Sequence, residues 1–568
     1  MTDAYDVVIV GAGHNGLVAA NYLARAGKKV LVLESRNVVG GACVTEELIE
    51  GSLWSSCAFI SGLLRPEIIE ELELESRFGL EMYQADVLGV TIFRNGDHMF
   101  IHRNLDETLR EIERYSKKDA RRFVDFGLRL KRFSEIIRPW LLSEPPSRSE
   151  VVRAFEESGE EDLFDEFVML STRDLLARYF ESDQMNGVLN FFGMVSIWGG
   201  PSTPGTGYVW GHHSWGEFKG NLGQYGFVRG GMGGITQALA RGAQEYGAEI
   251  RLNSPVRRVR VHRGRVVGVE LESGENVEAS IVMSNADPQR SLLTLLEPGT
   301  LDSDLTEAVQ EIDMRGSMAR IHLLIDELPH YIGFGPEEGP QHRCHQILGA
   351  SIESYERAWE AQRRGEFPDE IVIEAVIQSV HDATLAPDGF HTMTLGVQQL
   401  PRYLAEGDWD SRKEEWADLV MEHLFHFAPN LRDHIVQRVV ITPLDLEREY
   451  HITGGNIFHG AMFLSQLFSS RPLPQLASYR TPVEGYYLCG AGTHPGGGVM
   501  GAPGHNAAFA VLADLDPSQA RKTVAKSASK GFVGQVMSTD IGNRAGYEIA
   551  RRSIFRPFAR FAAKTPKK

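Results

Sequence analysis

The start of the chain constrains the fold more than any other part of the sequence. An apolar run, Tyr5–Val10, predicts a buried strand, and a glycine turn with the sequence Gly-Ala-Gly-His-Asn-Gly (Gly11–Gly16) follows it directly. Helix-compatible residues continue over Leu17–Ala26, and a second apolar run, Lys29–Leu33, ends at Glu34. This order of strand, glycine turn, helix, strand and acidic residue is typical of a dinucleotide-binding unit.

Each residue of this motif has a physical task. Gly11 makes the tight turn, Gly13 lets the backbone approach a pyrophosphate, and Gly16 allows the helix and strand to pack closely. The free N–H groups at the helix N-terminus favour the phosphates. The carboxylate of Glu34 can accept hydrogen bonds from the two ribose hydroxyls of an adenosine.

A second glycine pair, Gly40-Gly41, indicates which dinucleotide the chain binds. It follows the acidic strand end closely and lets the backbone pass along the far half of an extended ligand. NAD alone does not need this pair, whereas flavoproteins that hold FAD along its whole length have it. We therefore expect FAD as the cofactor.

The bulk composition excludes several classes of function. A chain of 568 residues is too long for one core and should form two or more lobes. Its net charge of −18 argues against a nucleic-acid partner, and its four cysteines form no CxxC, so we expect neither a disulfide framework nor a metal site. The first strand begins at Tyr5, which leaves no room for a signal peptide, and no apolar run reaches the ~18 residues of a spanning helix. We expect a cytoplasmic protein, either free or on the inner face of a membrane.

A late stretch repeats the pattern of strand, glycine loop and helix. Residues 486–489 predict a strand, the loop Gly490–Gly501 is rich in glycine, and a helix of small residues continues to about Leu515. The economical interpretation is that distant pieces build one sheet and that both glycine loops touch one cofactor. From this stretch we expect Gly492, Val499, Met500 and Gly501 to bind the cofactor.

The motifs together resemble the phytoene desaturase family of FAD-dependent oxidoreductases. The motifs that carry this resemblance are the two glycine loops, Gly40-Gly41, Gly230–Gly234 and Ser284–Pro288. Within the family, the chain is most similar to the branch of the pyridine nucleotide-disulphide oxidoreductase domain-containing protein 2 type and related carotenoid ketolases. The stretches that resemble this branch are Gly40–Glu47, Leu63–Ile68 and Gly454–Gly460. The resemblance implies non-covalent FAD, further cofactor contacts from Gly233 and Val256, and apolar substrates. One departure is Ala42, where the family often has an arginine that contacts the pyrophosphate.

The predicted fold is α/β, with a discontinuous Rossmann-like FAD-binding domain of the glutathione-reductase-2 type and an α+β substrate domain. We assign residues 1–85, 226–300 and 443–515 to the FAD-binding domain and residues 86–225 and 301–442 to the substrate-binding domain. In the latter, residues 86–101 predict paired strands and residues 105–141 long helices. Residues 320–326, 371–380 and 435–442 predict further strands, and residues 352–364 and 412–426 predict further helices.

Several side chains are candidates for chemistry. His494 in the late glycine loop and His459 in the Gly454–Gly460 loop are the candidate catalytic groups, although each could equally be a histidine that shapes its loop. Trp210, His212, His213 and Trp215 predict an aromatic wall of an apolar substrate pocket in preference to a metal site.

The C-terminal tail differs from the rest of the chain. Residues 521–568 contain twelve Lys or Arg against Asp540 and Glu548, a net charge of +10. Ile554, Phe558 and Phe561 share a helical face, which favours a membrane surface as partner. The alternative is a tail that docks on the acidic body or at a subunit interface.

These features predict an FAD-dependent oxidoreductase that takes a hydride from a CH–CH group of a polyene- or lipid-like substrate. The alternatives are a flavin-binding regulatory or interaction protein with little catalysis, a carotenoid ketolase and an amine oxidase. The sequence identifies neither the substrate nor the electron acceptor, and it leaves open whether the chain forms a homo-oligomer.

Overall fold

A computed structural model describes residues 4–515, and the predicted basic tail lies outside them. The strands within these residues are β1 (Tyr5–Val10), β2 (Val30–Leu33), β3 (Thr45–Ile49), β4 (Ser52–Ser55), β5 (Met82–Tyr83), β6 (Val87–Ile92), β7 (His98–His102), β8 (Glu217–Phe218), β9 (Asn221–Leu222), β10 (Phe227–Val228), β11 (Glu249–Arg251), β12 (Val256–His262), β13 (Arg265–Leu271), β14 (Asn276–Ser284), β15 (Ser317–Ile325), β16 (His345–Leu348), β17 (Ile373–Val376), β18 (His391–Leu400), β19 (Ile435–Ile441) and β20 (Tyr486–Leu488).

The α-helices of the same residues are α1 (His14–Arg25), α2 (Pro66–Glu71), α3 (Leu105–Glu113), α4 (Lys117–Ile137), α5 (Arg148–Glu157), α6 (Glu161–Phe164), α7 (Thr172–Ala177), α8 (Asp183–Met194), α9 (Thr206–His213), α10 (Gly233–Glu245), α11 (Ser303–Gln310), α12 (Ile352–Arg364), α13 (Trp409–Phe427), α14 (Leu431–His434), α15 (Pro443–Glu449) and α16 (Ala502–Leu515). None of them is long and apolar enough to cross a membrane. The packing described below belongs to one compact unit that ends at Ala510.

The first sheet is assembled from distant segments of the chain. Its strand order is β11-β2-β1-β14-β13-β12, and β20 pairs with β14. The pairs β1–β2, β1–β14, β2–β11 and β14–β20 are parallel, whereas β12, β13 and β14 form an antiparallel meander. The carboxyl ends of β1, β2 and β20 therefore lie at one edge, and each of these strands runs into a loop that the sequence marks as chemically important.

The second sheet has the order β19-β15-β18-β17-β16-β6-β7. One of its faces is covered by α13, whose Trp416, Val420 and Leu424 share a core with alternate residues of the strands. The opposite face carries polar residues at several of the intervening positions. A helical region packs beside it around Phe126, Phe133 and other aromatic side chains from α4, α5, α8 and α9.

The structure confirms the α/β fold class and most of the predicted elements. The N-terminal strands and helix, the paired strands β6 and β7, and the helices α3, α4, α12 and α13 lie where the sequence predicts them. Strands β16 and β18 were not predicted, although β18 lies inside the second sheet. The boundaries of the predicted domains stay a prediction.

Candidate functional site

A cavity of about 370 Å³ runs from the carboxyl ends of β1 and β2 to the polar face of the second sheet. Open α/β sheets bind their ligands in this crevice beyond the strand ends. One end of the cavity is lined by Gly11, Gly13 and Glu34, and the other by Phe192 and Arg320. The cavity therefore joins the glycine motifs to residues of the predicted substrate lobe.

The N-terminal glycine turn is held so tightly that only glycine fits. A Cβ on Gly13 would lie 2.5 Å from Nδ2 of Asn285, and a Cβ on Gly16 would lie 2.3 Å from the carbonyl oxygen of Gly11. Asn285 follows β14, and its N–H donates to the carbonyl of Val10 at 2.9 Å. The end of β14 thus fixes the turn that follows β1.

Glu34 is a rigid acceptor at the end of β2. It is only 5% exposed and lines the cavity. Its Oε2 accepts from the N–H of Ala12 at 2.8 Å, and its Oε1 accepts from the N–H of Arg36 at 2.9 Å. These bonds fix the carboxylate beside the glycine turn, where it can accept further bonds from ribose hydroxyls.

Buried polar atoms without a protein partner test whether this end of the cavity fits FAD. Four residues that line it each have one such atom, and these atoms are His14 Nε2, Asn15 Oδ1, Arg36 Nη1 and His459 Nδ1. A buried polar atom without a hydrogen bond lowers the stability of the fold, unless a ligand or a water molecule completes the bond. The N-cap residue of helix α1 is Gly13, which has no side chain to cap the N–H groups of the helix. The nitrogen atoms of His14 and Arg36 and the free N–H groups of α1 can donate to the phosphates of FAD, and Asn15 Oδ1 can accept from a ribityl hydroxyl, so these residues fit the cofactor.

The predicted cofactor residues divide into two groups. Those that line the cavity are Gly11, Gly13, Glu34, Gly40, Gly41, Val256 and Val499. Those that do not line it are Gly16, Gly233, Gly492, Met500 and Gly501, which instead pack protein against protein. For example, the N–H of Gly233 donates to Oγ1 of Thr45 at 2.9 Å, and a Cβ on Gly492 would lie 2.5 Å from Pro288. At the four glycine positions a Cβ would meet neighbouring protein atoms, so glycine is needed there for close packing.

The late glycine loop delivers helix α16 next to the start of α1. A Cβ on Gly504 would lie 2.0 Å from the carbonyl oxygen of Asn15, so the two helices touch through their backbones. Gly501 precedes α16 with a φ of +74°, a conformation that favours glycine. The two glycine loops therefore meet at one place, as the sequence predicts.

The two candidate catalytic histidines have different surroundings. His459 lines the cavity, and burial lowers the pKa of its imidazole, which keeps it neutral. His494 does not line the cavity; its Nε2 is 2.9 Å from the carbonyl oxygen of Trp140, and burial lowers its pKa to about 4. The geometry therefore favours His459 as a contact of the ligand and gives His494 a place in the packing of its loop.

The predicted aromatic wall needs correction. Of its four residues only His213 lines the cavity. Trp210 and Trp215 lie in the core of the helical region, where Trp210 donates to the carbonyl of Leu189 at 2.7 Å, and Nε2 of His212 is 3.0 Å from the carbonyl oxygen of Gly497. Three of the four residues lie in helix α9, and Trp215 follows it closely. Most of the surface of this helix is buried in the protein, so few of these residues reach the cavity.

Other aromatic and aliphatic residues form the wall, and the sequence analysis missed them. They come from the end of α8, from the residue that follows it, and from the loops that follow β4 and α15, and they are Phe59, Ile60, Leu63, Phe191, Phe192, Val195, Ile457 and Phe458. Phe191 and Phe192 in α8 and Val195 directly after the helix lie close together in the sequence, and this spacing is the signal that was available.

A buried arginine beneath the cofactor loops was also missed. Arg471 is 1% exposed, and its guanidinium donates to six backbone carbonyls, those of Phe458, Gly460, Ala461, Gln466, Ala491 and Thr493. No ion pair joins it to a carboxylate among residues 4–515, and burial lowers its pKa to about 10. It ties the loop of His459 to the late glycine loop. Because its partners are backbone atoms, no residue pattern signals it.

Within the described part of the chain, no group of three or more His, Cys, Asp or Glu side chains is arranged to hold a metal ion. The four cysteines are buried and unpaired, and burial raises the pKa of the Cys43 thiol well above its usual range.

Residues 16–508 match the family of flavin containing amine oxidoreductases. The chain is 35% identical over 545 residues to pyridine nucleotide-disulfide oxidoreductase domain-containing protein 2 of Rattus norvegicus, covering 90% of this chain and 94% of that protein. It is 25% identical over 525 residues to phytoene desaturase (lycopene-forming) of Pantoea ananas, covering 89% and 98%. An engineered putrescine oxidase shares the fold with a TM-score of 0.57 at 16% identity, covering 90% of this chain and 98% of that one.

Proposed function

This chain belongs to the family of flavin containing amine oxidoreductases, and on that premise we propose that it takes a hydride from a CH–CH group of a largely apolar, polyene- or lipid-like substrate. The family match and the 35% identical relative confirm the resemblance to the phytoene desaturase family and its branch. They also confirm FAD as the cofactor and an oxidoreductase as the broad class. The CH–CH specificity and the substrate class are our proposal.

The observation that carries this proposal is the wall of the cavity beyond the glycine motifs. Its eight aromatic or aliphatic residues, from Phe59 to Phe458, offer extended apolar contact close to the cofactor residues. Burial of apolar surface contributes about 25 cal/mol per Å², so a hydrocarbon chain gains binding free energy along the whole wall. A small cationic amine would gain much less from it.

The side chains of the protein hold and orient the reactants. Glu34 would hold a ribose of FAD, the N–H groups at the starts of α1 and α16 would favour negative charge on it, and Phe191 and Phe192 would hold the substrate. FAD supplies the hydride acceptor when it is bound. Dehydrogenation also releases a proton, and the neutral His459, with Nδ1 free of protein partners among the described residues, is placed to receive it.

An anaerobic titration of the purified holoprotein tests this function. Polyenes and lipid-like alkenes should bleach the flavin absorbance near ~450 nm, and air should restore it. Phe192→Ala should slow bleaching without loss of FAD. The matched control is Phe123→Ala, because Phe123 is also half-buried in the helical region but does not line the cavity.

The alternatives give different results in the same experiment. Bleaching by primary amines and not by hydrocarbons would identify an amine oxidase. A flavin that no donor reduces would favour the regulatory or interaction protein. Insertion of oxygen into the recovered product would identify a ketolase.

The membrane association is a separate proposal, and the sequence alone supports it. The net charge of +10 in residues 521–568 and their aromatic positions favour an anionic membrane surface. The full chain should bind vesicles of anionic lipid, detach in part as salt rises, and lose the remaining binding in a Phe558→Asp, Phe561→Asp variant. Equal binding by a chain without residues 521–568 would contradict this.

A further inference from the structure

We propose that the far end of the cavity is a polar subsite, formed by Arg320, Glu374, Gln398 and His345, that binds an uncharged hydroxyl or carbonyl oxygen of an otherwise apolar substrate. All four side chains line the cavity. The inference rests on the proposed function, because it specifies the substrate of the same site.

The subsite lies on the face of the second sheet that turns away from α13. Side chains alternate between the two faces of a strand. In β15 the residues Ala319 and Ile321 belong to the core shared with α13, whereas Arg320 between them points to the other face. Ile373 and Ala375 flank Glu374 in the same way in β17. The alternation of side chains along β15 and β17 therefore places both Arg320 and Glu374 on this face.

A glycine makes room for an ion pair in the middle of the sheet. Gly396 in β18 is the register partner of both Arg320 and Glu374. Nη1 of Arg320 is 2.5 Å from Oε1 of Glu374, and a Cβ on Gly396 would lie 1.8 Å from that Nη1 and 2.3 Å from that Oε1. Glycine inside a strand weakens it and often marks close approach of another group. Here the group is the ion pair that crosses above it.

Two further hydrogen bonds hold the ion pair in place. Nε of Arg320 donates to the carbonyl of Cys57 at 3.1 Å, and Nε2 of Gln398 donates to Oε1 of Glu374 at 3.0 Å. The Oε1 of Gln398 accepts from the N–H of Ser196 at 3.0 Å, which sets the orientation of the amide. Burial alone would raise the pKa of Glu374, but the pKa of this carboxyl falls to about 2, chiefly because of the adjacent guanidinium of Arg320. The carboxylate stays ionised, and the opposite charges of the pair cancel.

His345 is the group in the subsite with unused hydrogen-bonding capacity. It is 4% exposed and lines the cavity, and its Nε2 makes no hydrogen bond with protein, although Oε2 of Glu374 lies 3.4 Å away. A buried imidazole nitrogen without a partner favours a ligand that can complete the bond.

The charge balance decides which ligand suits the site. A carboxylate or an ammonium would add a buried charge that nothing cancels, which is strongly unfavourable. A hydroxyl or carbonyl oxygen needs only a hydrogen-bonding partner, and His345 and the guanidinium of Arg320 supply one. The surroundings are apolar, since Arg320 lies 4.1 Å above the ring of Phe59 and the ring centroid of His345 is 5.3 Å from that of Phe191. The oxygen therefore belongs to a molecule that is otherwise hydrocarbon.

Calorimetric titration of the oxidised holoprotein tests the subsite with five probes of equal carbon number. The probes are dodecanol, methyl decyl ketone, dodecane, dodecanoate and dodecylamine. We expect the alcohol and the ketone to bind at least tenfold more tightly than the other three. His345→Phe should remove this preference, whereas His391→Phe in β18, outside the cavity lining, should keep it.

A second variant should bind one of the charged probes more tightly than the unmodified protein does, and a misfolded protein would not show such an increase in affinity. Glu374→Gln removes the negative charge, leaves Arg320 unpaired and should raise the affinity for dodecanoate at least tenfold above that of the unmodified protein. Equal affinity for all five probes, tighter binding of a charged probe by the unmodified protein, or no gain for dodecanoate would overturn the proposal. These outcomes are measured as binding to the oxidised protein. They can therefore be told apart from a failure of the proposed function, in which no donor bleaches the flavin.

Discussion

At the scale of single residues, Glu34 gives the sharpest prediction for the cofactor site. Replacing it by Gln removes a charge-assisted acceptor, and hydrogen bonds to charged groups contribute about 1.5–3 kcal/mol. We expect Glu34→Gln to weaken binding of FAD to the apoprotein by about 10- to 100-fold, measured by the quenching of flavin fluorescence. Glu50→Gln is the control because Glu50 is exposed. An unchanged dissociation constant in the Glu34 variant would contradict the assignment.

The residues that could be predicted from sequence are those whose role depends on neighbours in the chain. Glu34 and the N-terminal glycines belong to a local strand–turn–helix pattern, so their spacing alone locates them. The Arg320–Glu374 pair could not be predicted, because its members lie on strands that are separated in space by β18. Arg471 could not be predicted either, because it binds carbonyls whose positions only the fold determines.

At the scale of elements, the contact between α1 and α16 should be intolerant of a single methyl group. Gly504→Ala would place a Cβ 2.0 Å from the carbonyl oxygen of Asn15, so the helices must separate. We expect a lower Tm and loss of FAD, seen by differential scanning fluorimetry and the flavin content of the purified protein. The control is Gly127→Ala in α4, where nothing lies within 4 Å, and there stability should rise by up to about 1 kcal/mol. Retention of FAD and Tm in the Gly504 variant would contradict the close helix contact.

Elements with a clean periodicity were predictable, whereas two strands of the second sheet were not. Helices α3 and α4 show apolar residues at spacings of three and four, which fixes their type. Strand β18 alternates apolar residues with Thr394, Gly396 and Gln398, and the glycine interrupts a pattern that otherwise indicates a strand. That interruption is the space beneath the Arg320–Glu374 ion pair, so the room that this pair needs hides the strand in the sequence.

At the scale of the whole molecule, the buried histidines should make the fold sensitive to mild acid. Burial lowers the pKa of His14, His212 and His322 from 6.5 to about 3. Between these values the unfolded chain binds protons that the folded chain does not, so the free energy of unfolding falls as pH falls through this window. Each such histidine lowers the free energy of unfolding by up to about 1.4 kcal/mol for each pH unit of acidification within this window.

Calorimetry of the holoprotein checks this expectation. The Tm should drop between pH 7.5 and pH 5, and unfolding at pH 5 should take up protons. His322→Gln should reduce the difference between the two values of Tm. Release of protons on unfolding at pH 5, or a Tm that rises with acid, would be the opposite of the expected sign.

The distribution of the first sheet along the chain has a consequence for biosynthesis. Strand β1 pairs with β14, which pairs in turn with β20. At roughly 5–20 residues per second, β14 leaves the ribosome about 14–55 s after β1, and β20 about 24–96 s after it. Until β14 emerges, the apolar strand Tyr5–Val10 has only one of its two neighbouring strands, β2, and until β20 emerges the pocket for FAD lacks the loop that follows β20. Nascent chains stalled before residue 486 should therefore bind chaperones and retain no flavin, and the cofactor should enter only when translation is nearly finished.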